Sequence, residues 1–114
     1  MTDDVRAVAR GMYAAFNARN HDAAEDIFTA DFYSHPLDMT GPDSVTRSWQ
    51  RFHETFPEAQ VIVEDMIVEN DTVAVRTSVH GIPDQPEPTM LEIFRVRDGR
   101  IAELWGLSSL QRRP

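Results

Sequence analysis

Apolar positions recur at helical spacing in the first half of the chain and at strand spacing in the second. Between Asp3 and Arg19, the residues Val5, Val8, Ala9, Met12, Tyr13 and Phe16 fall three and four apart, the stripe of an amphipathic helix. Thr2 is placed to cap it, and acidic residues fill its first turn, where the helix dipole favours them. Asn17-Ala18-Arg19-Asn20 breaks the pattern, and His21 to Phe28 predicts a short second helix turning Ala24, Ile27 and Phe28 inward. Phe32 to Leu37 is brief, aromatic and interrupted by proline, which predicts a short strand or extended segment running into a loop. Thr40-Gly41-Pro42 then supplies a cap and an early helical proline. Val45, Trp49, Phe52 and Phe56 mark the stripe of a third helix that Pro57 stops.

Val61 to Val68 and Thr72 to Val79 are β-branched runs separated by Glu69-Asn70-Asp71, and Met90 to Arg97 and Arg100 to Leu107 flank Asp98-Gly99, a type I′ turn signal. Four antiparallel strands follow from this, joined across Ile82 to Pro88 by a stiff loop whose alternate prolines forbid ladder pairing. Helices first and a meander second give an α+β fold. With Asn70-Asp71 as a two-residue turn, Val68 opposes Val73, Asp65 opposes Arg76, Val63 opposes Ser78 and Val61 opposes His80. Asp65, Arg76 and His80 then share one sheet face. In the second hairpin one face collects Leu91, Ile93, Arg95, Ala102, Leu104 and Gly106, and the other Met90, Glu92, Phe94, Val96, Ile101, Glu103, Trp105 and Leu107. A sheet apolar on both sides needs two covers, and the expected second cover is another copy of the chain, a homodimer through the sheet.

A chain of 114 residues holds one domain, residues 1–114, with enough buried surface for one core and one pocket. It has no cysteine, which excludes disulfides, thiol nucleophiles and thiolate metal sites. The net charge of −8, with no lysine at all, repels phosphate backbones, so nucleic acid is not an expected partner. The one basic cluster, Arg112-Arg113, reads as a solvated tail. An acidic start and the absence of a long apolar run predict no membrane span, and a cytoplasmic protein. His21, His35, His53 and His80 lack the close spacing of a metal motif, and neither a glycine-rich phosphate loop nor Gly-x-Ser-x-Gly occurs, so neither metal nor cofactor is expected.

Met12-Tyr13-Ala14-Ala15-Phe16-Asn17, Phe28-Thr29-Ala30-Asp31-Phe32 leading into Ser34-His35-Pro36, Trp49 to Pro57, Val61 to Arg76, and Ile93 to Trp105 together resemble the SnoaL-like polyketide cyclases of the nuclear-transport-factor-2-like superfamily. The resemblance covers nearly the whole chain. It implies a cone: a curved antiparallel sheet wrapped around three N-terminal helices, enclosing a largely apolar pocket. Fold alone fixes no reaction. Many members carry His-Trp-Asp on the last strand, the Asp serving as acid and base in an intramolecular aldol closure; here those positions are Leu104, Trp105 and Gly106, which move no proton.

A proton carrier must therefore sit elsewhere. His35 matches a position from which the family often points a polar residue into the cavity, and its imidazole suits enolisation near neutral pH. Asp65 with Arg76 is either a structural pair or an anchor for an oxyanion, with His80 on the same face. Glu92 is either a cavity carboxylic acid whose apolar surroundings raise its pKa or an interface residue. Trp49 and His53, one helical turn apart, and Tyr33 beside His35 are expected to line the pocket. The leading expectation is a cofactor-free cyclase, isomerase or dehydratase acting on a hydrophobic oxygenated molecule. The alternatives are a carrier that binds without turnover, and a dimeric scaffold whose cavity is incidental.

Overall fold

The computed structural model describes residues 2–111, with side chains from Asp4 onward, so the Thr2 side chain expected to cap the first helix, and the Arg112-Arg113 tail, lie outside what it describes. Helix α1 (Thr2–Asn17) buries Val5, Ala9, Met12 and Tyr13, the stripe its spacing predicts. The second helical segment is shorter than expected. His21–Ala23 is a single 3-10 turn, α2 spans Ala24–Ile27, and Phe28 already opens strand β1 (Phe28–Ser34). Phe28 and Phe32, four apart, were compatible with either period; both point inward from the strand at 2% and 0% exposure. After the two-residue strand β2 (Met39–Thr40), helix α3 (Pro42–Thr55) is entered through Gly41 rather than through a Thr40 side-chain cap. Gly41 has φ +91, a conformation that favours glycine.

The chain ends as two hairpins, β3 (Gln60–Glu69) with β4 (Thr72–His80) and β5 (Thr89–Arg97) with β6 (Arg100–Ser108). Asp98 and Gly99 both adopt positive φ, as a type I′ turn requires. Six strands form one curved, open sheet in the order β2-β1-β6-β5-β4-β3. The meander is antiparallel, but β1 joins β6 in parallel, so the sheet is mixed. The helices cover its inner face and complete the α+β cone. Asn17 ties α1 to the edge strand by donating to Val61 O and accepting from Val61 N, both at 2.8 Å. Among the described residues, no helix is long and apolar enough to cross a membrane.

Two β-bulges decide which side chains face the helices. On β3 the bulge lies between Val63 and Asp65, so Val63 pairs with Thr77 and Val61 with Val79, not with Ser78 and His80 as a regular ladder would have it. The extra residue, Glu64, reverses the alternation: Val61 and Val63 turn inward before it, Met66 and Val68 after it. On β6 the bulge lies at Ala102, since Val96 pairs with Ile101 but Arg95 with Glu103. Leu104 and Gly106 therefore join Glu92 on the inner face, while Glu103, Trp105 and Leu107 move to the outer one, the reverse of the regular register. Phe28, Phe32, Phe94 and Ile101 are wholly buried, each stabilising the fold by about 1.5–3 kcal/mol relative to exposure.

Candidate functional site

Between the helices and the inner face lies a cavity of about 380 Å³. That is within the range of small-molecule sites. Helix α1 contributes Met12, Tyr13 and Phe16 to its wall, α3 contributes Val45, Ser48, Trp49 and Phe52, and the sheet contributes Phe28, Phe32, Ser34, Val61, Met90, Glu92, Leu104 and Gly106. Leu37 and Leu107, 43% and 79% exposed, also belong to its lining and mark where it opens.

Two titratable side chains stand on this wall, and they are bonded to each other. Tyr13 donates its hydroxyl to Glu92 Oε1 at 2.7 Å. The other carboxylate oxygen, Oε2, has no hydrogen-bond partner among the described residues. What surface Glu92 keeps accessible is turned to the cavity, and desolvation there raises its pKa, opposed by the hydrogen bond from Tyr13. Burial likewise drives the Tyr13 phenol well above its ordinary range, and the charge and hydrogen bond of Glu92 add to the effect. Tyr13 thus stays a proton donor at any working pH, whereas Glu92 is the group able to exchange a proton. Ser34 and Ser48 add hydroxyls to a wall that is otherwise largely apolar.

Of the residues singled out from sequence, Glu92 and Trp49 line the cavity. His35 does not. On β1, Phe32 and Ser34 point inward, so Tyr33 and His35 point out. The His35 ring stacks on Trp105 at 4.6 Å and its Nε2 lies 2.7 Å from Glu103 Oε2, on the outer face. Tyr33 meets the edge of His35 and donates to Asp38, also outside. Asp65 and Arg76 do face each other, with Nε–Oδ2 at 2.7 Å, but both are exposed on the outer face, remote from the cavity wall. Such a pair contributes little stability and anchors no ligand in the cavity. His80 shares that face, as expected from its register with Arg76, and contacts Ser78 and Glu87.

His53 is buried but packs behind the cavity wall, against Phe16 at 4.4 Å and against His21, whose Nε2 lies 2.8 Å from its Nδ1. Desolvation, then the charges of Arg19 and His21, hold its pKa down at about 4. It is a neutral structural histidine at neutral pH. The functional residue missed in the sequence is Tyr13, absorbed into the apolar stripe of α1. Its signal was available: a phenol on an inward helical stripe must find a buried acceptor.

The SnoaL-like domain family matches residues 9–104. The chain belongs to this family. The SnoaL-like chain is also similar to solved structures. IdmH of Streptomyces antibioticus, a proposed polyketide cyclase, is 27% identical with a TM-score of 0.78, covering 92% of this chain and 91% of its own. A proposed polyketide cyclase of Bacillus cereus is 23% identical with a TM-score of 0.83, over 93% of this chain and 74% of that one. A proposed ketosteroid isomerase of Kribbella flavida is 19% identical with a TM-score of 0.81, over 99% and 83%. The last two show the fold alone. No curated protein matches the sequence.

Proposed function

We propose that this SnoaL-like protein binds a hydrophobic, oxygenated small molecule in its cavity and catalyses cofactor-free proton transfer on it, in a cyclisation, isomerisation or dehydration. The observation that carries the reading is the Tyr13–Glu92 pair, the titratable groups of an otherwise apolar wall. Glu92 Oε2 takes a proton from the carbon beside a ketone, and the electron pair of the broken C–H bond moves into the enolate. The resulting carboxylic acid then returns that proton to carbon or oxygen, so no redox partner is needed. Tyr13 holds Oε1 and steadies the carboxylate charge. Gly106, the position at which many family members carry their acid, is paired directly with Glu92 across β5 and β6. A Cβ built there would lie 3.4 Å from Glu92 Cγ. The carboxylate is thus supplied from the adjacent strand into the same neighbourhood.

The test is hydrogen–deuterium exchange at the α-carbons of 2-tetralone, followed by NMR in D2O. Wild type should accelerate exchange, and Glu92→Gln should lose about 10²–10⁴-fold of that acceleration. Equal rates in the two proteins would remove Glu92 as proton carrier. Binding of 2-tetralone without accelerated exchange would favour the carrier reading, which the missing carboxylate at Gly106 supports. On the outer face, Ile62, Leu91 and Ile93 are exposed. They support a second copy of the chain as its cover, and sedimentation equilibrium should return a dimer mass; a monomer at micromolar concentration would refute it.

A further inference from the structure

Beside the cavity runs a second groove of about 280 Å³, bordered by Leu37, Ser48 and Phe52, which also line the cavity, and by Arg47, Arg51 and Thr55. Arg47 and Arg51 stand one helical turn apart on α3, so their guanidinium groups project along the same side. Neither has a side-chain hydrogen bond or ion-pair partner among the described residues, whereas Arg76, Arg95 and Arg97 are each paired with a carboxylate. Asp43 and Glu54 lie on the same helix, four residues before Arg47 and three after Arg51, yet neither comes within ion-pair distance. In a chain of net charge −8 the average field repels anions, and two unpaired guanidinium groups beside the cavity form a local exception.

We infer that cavity and groove form one composite site for a two-part ligand, an apolar oxygenated body in the cavity and an anionic tail, carboxylate or phosphate, over Arg47 and Arg51. Guanidinium groups present the forked donors that either oxyanion accepts. The inference rests on the cavity reading above and narrows its substrate class from neutral ketones to keto acids or keto phosphates.

Isothermal titration with 6-(2-naphthyl)-6-oxohexanoate and with its methyl ester separates the two parts, since the ligands differ at the tail alone. Wild type should bind the acid about five- to tenfold more tightly than the ester, with the difference shrinking at high salt. Arg47→Gln with Arg51→Gln should abolish that preference while leaving ester affinity unchanged, which also shows that the variant is folded. Arg10→Gln with Arg100→Gln removes the same charge from residues that line neither cavity nor groove, and should keep the preference. The matching ω-hydroxy ketone phosphate monoester identifies the tail, since whichever of the two anions binds more tightly is the preferred group. Equal affinity for acid and ester in wild type, or a preference that survives loss of Arg47 and Arg51, overturns the anion subsite and leaves the cavity reading standing. Failure of both acid and ester to bind overturns the cavity reading and this one with it.

Discussion

Replacing Tyr13 by Phe removes one oxygen and, with it, the bond that holds Glu92. The ring is 4% exposed and packs edge-on against Phe94 at 6.0 Å, contacts that phenylalanine reproduces. What is lost is the 2.7 Å hydrogen bond, leaving Glu92 Oε1 without a donor in a desolvated site. The cost of an orphaned buried acceptor is about 1–3 kcal/mol. For a chain of 114 residues the unfolding entropy is about 240 cal/mol/K, so each kcal/mol lowers Tm by about 4 °C and the variant should melt roughly 4–12 °C lower. The cost should also depend on pH. Burial already sets the folded pKa of Glu92 above its unfolded value of about 4.3, so the associated stability is complete below that value and is lost as pH rises toward the folded pKa. Tyr13 opposes the elevation, and its loss extends the pH span over which stability drains away. Urea unfolding of wild type and Tyr13→Phe at pH 5 and pH 8 should therefore show a larger difference at pH 8. In a Glu92→Met background the same substitution should cost close to nothing, a coupling measurable by a double-mutant cycle. A difference that is flat with pH, or undiminished in that background, would refute the claim that the phenol serves the carboxylate.

His53 predicts an acid limit. Its unfolded pKa is about 6.5 and its folded value about 4, so stability is complete above pH 6.5 and falls by up to about 3 kcal/mol as pH drops toward 4. His53→Gln should flatten that slope in urea unfolding, and an unchanged slope would exonerate the residue. Gly81→Ala should cost more than about 2 kcal/mol, because its φ is +84 and a Cβ there would stand 2.2 Å from Glu58 O. Gly11→Ala, with open space around its Cβ inside α1, should instead stabilise by about 0.5–1 kcal/mol by thermal melting. His35→Ala should leave 2-tetralone exchange unaltered, since its ring is on the outer face; a drop comparable to that of Glu92→Gln would return the imidazole to the mechanism.

Sequence reading succeeded where local chemistry dominates. The Asp98-Gly99 turn, the pairing of Val68 with Val73 and of Asp65 with Arg76, and the stripes of the first and third helices all follow from residues within a few positions of one another. It failed where one residue of register reverses a face. His35 was assigned to the cavity through the family's pattern, but strand alternation from Phe32 makes Ser34 the inward neighbour. Glu92 was legible as a carboxylate in apolar company; whether it faced cavity or interface was not, because that depends on which side the helices cover. Its partner Tyr13 lies 79 residues away in sequence, and no local pattern joins them.

The bulge at Ala102 sets the electrostatics of the site. Continued regularly from the inward Ile101, β6 would turn Glu103 and Trp105 into the interior and Gly106 out. A second carboxylate would then enter the cavity side of the sheet, and two neighbouring carboxylates share protons, splitting their titrations. The extra residue sends Glu103 outward instead, to His35 and to Arg95 at 2.8 Å, where solvent and a guanidinium meet its charge. It also sets Gly106, which has no side chain, opposite Glu92, at a point where a Cβ would touch Glu92 Cγ at 3.4 Å. Glu92 is left as the sole carboxylate among the described lining residues, desolvated and held at one oxygen by Tyr13. A lone acid of raised pKa is suited to both halves of a proton shuttle, because desolvation strengthens the carboxylate as a base and the hydrogen bond from Tyr13 opposes that rise. The sequence change that would test this dependence is deletion of Ala102. With Glu103 then following Ile101 directly, the ladder becomes regular while Glu103 stays outward and Leu104 and Gly106 stay inward, so 2-tetralone exchange through Glu92 should be retained; its loss would refute the claim that the bulge acts through the alternation of faces.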